Sequence, residues 1–264
     1  MKRFIPFVKS DPTVAVIRLQ GQIANSNRGL DDPSLGPVID RAFSRGKPAA
    51  VALEINSPGG SPVQSSLIAA RIRRLAEEKE IPVYAFVEDV AASGGYWLAC
   101  AADEIFVDRG SIVGSIGVIS AGFGAHDLIE RYGVERRVHT AGKSKSLLDP
   151  FQPQKPADVK RLKGWLEELH DFFISHVKSR RGDKLADNPD LFTGEVWIGQ
   201  KSVEVGLADA VGHLVPVMQE RFGKKVRFRR YGPRRALIQR FGSTLVNDAV
   251  AAVDERAAYA RFGL

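Results

Sequence analysis

Residues 49–60 read Ala-Ala-Val-Ala-Leu-Glu-Ile-Asn-Ser-Pro-Gly-Gly. The first seven are an apolar run with the length and composition of a buried strand. The next five, Asn56 to Gly60, are a dense turn signal that stops it. Beyond the turn, residues 65–79 carry Leu67, Ile68, Ile72 and Leu75 at helical spacing, which predicts an amphipathic helix with those four on one face. The same alternation extends to both sides. Residues 14–19 read as a strand, 35–43 as a helix, 82–87 as a strand, 96–102 as a helix and 104–107 as a short strand. Residues 113–119 are rich in Gly and Ile, and 134–140 read as a further strand. Strands and helices in alternation with short connections predict an α/β layered fold with a largely parallel sheet.

Three prolines between 145 and 156 predict a loop there, and 157–181 has the periodicity of a long amphipathic helix. Residues 188–214 read as shorter elements separated by glycine turns, and 243–262 as a terminal helix capped by Ser243.

A chain of 264 residues suits one large domain or a domain with a small appendage. The single cysteine, Cys100, excludes a disulfide framework within the chain and disfavours a Cys/His metal cluster. The net charge is +7, and basic residues crowd the C-terminal part, from Lys224 and Lys225 through Arg227, Arg229 and Arg230 to Arg234, Arg235 and Arg240. A solvated basic face accounts for them, as does attraction to anionic lipid headgroups. No nucleic-acid motif accompanies them. The apolar stretch Phe4 to Val8 ends before Lys9, too short for a signal-peptide core or a spanning helix. The expected location is therefore cytoplasmic or peripheral to the inner membrane.

Two places can carry chemistry. Gly59 and Gly60, at the end of a strand and before a helix, can turn backbone N–H groups into a crevice that suits an oxyanion; an ordinary strand-to-helix turn would look the same. Ser93, within Ala91-Ala92-Ser93-Gly94-Gly95, stands at a second strand-to-helix junction among small residues, as in a nucleophile elbow, or else merely caps the helix. A serine hydroxyl needs a base. His126, His139, His170, His176 and His213 stand in no recognisable pattern, and His170 and His176 read as solvated or interfacial on the long helix. Lysine serves only when desolvation keeps it neutral, and Leu147, Leu148 and Phe151 offer apolar surroundings to Lys145.

Taken together, the motifs Ile-Asn-Ser-Pro-Gly-Gly (55–60), Asp-Val-Ala-Ala-Ser-Gly-Gly-Tyr (89–96), Ala-Cys-Ala-Ala-Asp-Glu-Ile (99–105), Gly-Ser-Ile-Gly-Val (114–118), Lys-Ser-Leu-Leu-Asp-Pro-Phe (145–151) and the stretch 192–212 resemble the S49 family of serine peptidases, the signal peptide peptidase A and SohB type. The resemblance covers about residues 13–215. It implies a Clp-protease/crotonase-like fold of repeated ββα units, with a catalytic domain over 1–222 and a basic C-terminal tail and helix over 223–264. Ser93 matches the nucleophile, Lys145 (rather than Lys143) the general base, and Ser115 the serine that orients the lysine. The N–H groups of Gly60 and Gly94 match the oxyanion donors. Also implied are hydrolysis of unfolded or membrane-derived peptides such as signal-peptide remnants, no cofactor and no metal, a ring-shaped homo-oligomer, and no nucleic-acid partner. A Clp-type Ser-His-Asp triad would need a histidine where Val118 stands. The alternatives are a crotonase-type acyl-CoA enzyme, with Glu88 and Asp89 as its acids, and a catalytically silent membrane-associated scaffold of the same fold.

Overall fold

A computed structural model describes residues 11–26, 29–142, 144–232, 253 and 255–264. It has two compact units. One comprises residues 1–116 and 174–264, the other 117–173.

The first unit holds every strand. They are β1 (Thr13–Gln20), β2 (Ala50–Ser57), β3 (Val83–Ala92), β4 (Glu104–Val107), β5 (Ile112–Gly114), β6 (Val196–Ile198), β7 (Ala210–Val211) and β8 (Arg227–Tyr231). The sheet runs β6-β5-β3-β2-β1-β8, and β4 pairs with both β3 and β7. All pairings are parallel except β5 with β6. A parallel sheet needs both faces covered, and β2, buried at every position, is its middle. Helix α7 (Leu214–Phe222) lays Leu214 and Met218 over the alternate residues Val14, Val16, Ala50, Ala52, Tyr84, Phe86 and Phe106. The intervening positions Ala15, Ile17, Val51 and Leu53 are buried as well.

The crossovers are α1 (Asp32–Ser44) and α2 (Pro62–Lys79), which pack on each other. Each starts at a polar cap: Asp31 accepts from the Ser34 N–H at 2.8 Å, and Ser61 accepts from that of Gln64. A proline in each first turn fits because its missing N–H would have no helical partner. Arg71 of α2 holds Asp32 through two bonds of 2.7 and 2.8 Å, which keeps that carboxyl below its ordinary range. The cap explains why α2 begins at Pro62 rather than at residue 65. Ile68, Ile72 and Leu75 are buried as its periodicity predicts, but Leu67 faces out.

Strand β3 runs five residues past the expected end at 87, and this extension matters most for function. Its first half, Tyr84–Val87, pairs with β4, and its last residues, Val90–Ala92, with β5. Against β2, Ile55 lies opposite Val87 but Ser57 opposite Ala91, so the chain bulges over residues 88–90. Such a bulge bends and re-aims a strand. What it re-aims is the approach to Ser93. The short helix α3 (Gly94–Ala99) follows.

Behind α3, the C-terminal half of α5 (Pro156–Arg181) supplies Arg181. Its guanidinium bonds Asp209 at 2.7 Å and the Gly206 carbonyl at 2.9 Å, while the buried Tyr96 hydroxyl donates to the Leu207 carbonyl at 2.8 Å. Of the two readings open for His176, solvated or interfacial, the structure shows the packed one. His176 stacks on Trp97 with centroids 4.3 Å apart, and burial pushes its imidazole down to about 4. The folded chain therefore binds fewer protons than the unfolded one between pH 6.5 and 4, so stability is lost as the pH drops through that window. Wild type should lose about 2–3 kcal/mol through this residue between pH 7 and pH 4.5, read by urea unfolding, and His176→Phe should lack that part of the slope.

The basic stretch Arg227–Tyr231 is an edge strand beside β1, with Arg227 paired to Asp11 and Arg230 to Glu54. Charges on an edge strand discourage further strand pairing. The helix expected over 243–262 is described only from 253 on, where 255–260 is helical; Ser243 lies outside the described residues.

The second unit contains α4 (His126–Arg131) and the start of α5. Residues 134–140, expected as a strand, form none and are exposed. Arg136 instead bonds Asp149 at 2.8 Å and lies over the Phe151 ring, and the Ala125 N–H donates to the Pro150 carbonyl. Among its described residues, none from 117 to 172 is buried, and Phe123 is 95% exposed.

Candidate active site

Ser93 follows β3 directly and has φ 52°, ψ −122°. A non-glycine residue is rarely found there, and the strain is held by the surroundings. The Ser93 N–H donates to the Gly114 carbonyl at 2.8 Å, and Trp97 N–H donates to the Ser93 carbonyl. The side chain makes no cap hydrogen bond to α3, so the capping alternative does not describe it. This is the geometry of a sharp strand-to-helix turn that places a serine at the strand's end.

Ser115 sits on the neighbouring strand end. Ala92 pairs with Gly114, so each serine is one residue beyond a paired position. Ser115 also has positive φ (50°), is nearly buried, and donates its N–H to the Glu195 carbonyl at 2.7 Å.

The Ser57–Gly60 loop crosses the end of β2 beside Ser93. A Cβ on Gly59 would lie 2.8 Å from Ser93 Cβ, and one on Gly94 would lie 3.3 Å from the Gly60 nitrogen. Gly60 is bridged to Ile23 by bonds from Ile23 N–H to the Gly59 carbonyl and from Ser61 N–H to the Ile23 carbonyl. In that pattern the Gly60 N–H takes no part, and it makes no backbone bond among the described residues. The Gly94 N–H opens α3 and has no acceptor within that helix. The structure thus brings Ser93, Ser115, Gly60 and Gly94 to one set of strand ends in the first unit. Lys145 belongs to the second unit, where it is exposed on a turn and donates its N–H to the Gly142 carbonyl. Leu147 and Leu148 beside it are half-buried and Phe151 is exposed. Lys143 lies outside the described residues.

Glu88 and Asp89 are engaged with neighbours, Glu88 with Arg18 at 3.3 Å and Asp89 with Asn56 at 2.6 Å. The sequence reading gave Asn56 no role beyond the turn; its only signal was its place before the glycines. His126, Asp127 and Glu130 of α4 hold donor atoms within 4.8 Å of one another, with both carboxylates exposed.

The mostly parallel sheet, with a strained serine at a strand end beside a two-glycine loop, belongs to a Clp-protease/crotonase-like α/β fold. The solved structure of the 1510-N membrane-bound stomatin-specific protease, a lysine-to-alanine variant in complex with a substrate peptide, has the same fold. Its TM-score is 0.53 and its identity 15%, over 93% of this chain and 99% of that one. Residues 75–225 match the family model for peptidase family S49, and the chain belongs to that family. Among relatives, "Probable protease SohB" of Haemophilus influenzae is 31% identical over 238 residues, covering 90% of this chain and 66% of that protein. The chloroplastic serine protease SPPA of Arabidopsis thaliana is 32% identical over 209 residues, 76% of this chain and 31% of that one. The Na(+)/H(+) antiporter NhaA of Brucella melitensis biotype 1 is 43% identical over 286 residues, matching all of this chain and 39% of that protein. The chain thus spans well under half the length of several relatives it matches. Among the described residues no helix is long and apolar enough to cross a membrane.

Proposed function

We propose that the chain is a serine endopeptidase that hydrolyses extended, unfolded or membrane-derived peptides through a Ser93/Lys145 dyad. The observation that carries this reading is the backbone of Ser93, strained at φ 52° with its hydroxyl unused as a cap. Neutral Lys145, oriented by Ser115, takes the Ser93 proton as the hydroxyl attacks the scissile carbonyl. The Gly60 and Gly94 N–H groups hold the oxyanion. Protonated Lys145 then donates to the leaving amine, and water releases the acyl group from Ser93.

A lysine base must be desolvated to act. Lys145 is exposed within its own unit, as are Ile119, Phe123, Leu128 and Tyr132 of the same unit. A ring-shaped homo-oligomer that covers this apolar surface would supply the desolvation. The exposed Lys224, Lys225 and Arg229 support a position at an anionic membrane surface, as does the company of a membrane-bound protease and an antiporter among the similar proteins.

The test is covalent labelling by a fluorophosphonate, with the labelled peptide identified by mass spectrometry and the assembled mass read by light scattering. Labelling should fall on Ser93 and should be lost in Lys145→Ala. Labelling of Lys145→Ala at the wild-type rate sinks the lysine base. A monomer in solution sinks the oligomer.

A further inference from the structure

Three strand ends and the C-terminal segment meet at Asn56. Its backbone carbonyl accepts the Gly21 N–H from the end of β1 at 3.0 Å and the Tyr259 hydroxyl at 2.7 Å. Its side-chain Nδ2 donates to Asp89 Oδ2 at 2.6 Å. Asp89 is in the β3 bulge, and Asn56 is the single β2 residue opposite that bulge. A bulge lacks part of its ladder of hydrogen bonds. Here a side-chain bond between Asn56 and Asp89 ties the bulge to the neighbouring strand instead. Asn56 is almost fully buried, and its Oδ1 has no partner among the described residues, so the bond to Asp89 is what sets the amide's orientation.

Tyr259 comes from residues 255–260, a helical segment more than 200 positions away in sequence. The segment reaches the end of β1 as well, since a Cβ on Gly21 would lie 3.0 Å from Glu255 Oε1. It therefore lies across the strand ends that lead into the crevice. The loop carrying Gly60 begins one residue after Asn56, and Ser93 is four residues after Asp89. A shift of either strand end moves an oxyanion donor or the nucleophile. Misplacement on the order of 1 Å can cost about a hundredfold in rate. Half-burial beside Glu255 raises the Tyr259 hydroxyl to about 12, so it remains a donor at working pH.

We propose that Tyr259 is a positioning residue: with Asn56 and Asp89 it clamps the Ser57–Gly60 loop to the β3 bulge, holding Gly60 and Ser93 in register for the transition state. This rests on the reading of Ser93 and Gly60 given above. The experiment uses the full chain with Tyr259→Phe, which removes only the hydroxyl, and Asp89→Asn, which keeps the volume. Amide hydrogen exchange over residues 57–65, kcat and KM for a fluorogenic peptide, and the inhibition constant of an aldehyde of the same sequence are compared with wild type. In both variants exchange at 57–61 should quicken about tenfold, kcat should fall about tenfold with KM within about twofold, and the aldehyde should weaken in step with kcat. Unchanged exchange overturns the clamp. So does a lowered melting point with kcat intact, which would make Tyr259 a packing residue only. Hydrolysis that survives Ser93→Ala overturns the site reading instead, and the exchange data then decide the clamp on their own.

Discussion

Ser93→Ala and Lys145→Ala each reduce hydrolysis of a denatured protein such as casein at pH 8 by about 10⁴-fold or more, while both variants keep the wild-type unfolding midpoint. Similar losses are what the proposed dyad predicts: without the base the hydroxyl is a poor nucleophile, and without the hydroxyl the base has nothing to activate. Folding is spared for different reasons. Alanine at 93 bears the same positive φ that serine bears, and the Ser93 side chain makes no cap bond to lose. Lys145 is exposed on a turn, where truncation costs little. Lys143→Ala should leave the rate within about twofold. The comparison separates three readings. Loss with Ser93→Ala alone would move the base to Lys143 or His139. Loss with neither would make the chain a scaffold on a peptidase fold. Loss with both, at intact stability, leaves the dyad as the economical account.

Much of the fold was legible because its signals are local. Residues 49–55 are apolar at every position but Glu54 because β2 is buried on both faces, Glu54 being paired with Arg230, and glycines follow because the chain must turn where Ile23 approaches. The limits were equally physical. The end of β3 was missed because Glu88 and Asp89 look like strand breakers; they are tolerated since the bulge turns them onto Arg18 and Asn56. The strand expected at 134–140 did not form: its apolar residues, Val134 and Val138, stay exposed, and the segment is held by the bond of Arg136 to Asp149 instead. Whether His176 was solvated or interfacial stayed open in the sequence because its burial depends on Trp97, 79 positions away. Gly60, Ser93 and Gly94 were open candidates from their strand-to-helix turns, but that they and Ser115 form one cluster was legible only through motif resemblance. No periodicity joins residues on three strand ends, and Tyr259 belongs to no motif at all.

The glycine at 60 offers the sharpest test of the oxyanion assignment. A Cβ there would sit 2.0 Å from the Ile23 carbonyl oxygen and 2.8 Å from its carbon, both backbone atoms, at φ 143°. Neither atom can swing aside as a side-chain tip would. The bridge on either side is tight, with Ile23 N–H to the Gly59 carbonyl at 2.8 Å and Ser61 N–H to the Ile23 carbonyl at 2.7 Å. Gly60→Ala must therefore push the loop off Ile23 and carry the Gly60 N–H away from Ser93. The expected cost is about 10²–10³ in kcat, the scale of one lost oxyanion donor. Stability should fall by a few kcal/mol as well, on the order of 1–3, because alanine is strained at this φ. Gly122→Ala is the matched control, since nothing lies within 4 Å of its Cβ position, and it should be neutral on both counts. Peptide turnover and thermal unfolding of the two variants side by side decide the point. A Gly60→Ala enzyme that unfolds earlier yet keeps full kcat would remove Gly60 from the oxyanion site and leave it a purely structural glycine. A kcat loss that persists well below the melting range, with KM nearly unchanged, is what a displaced transition-state donor produces.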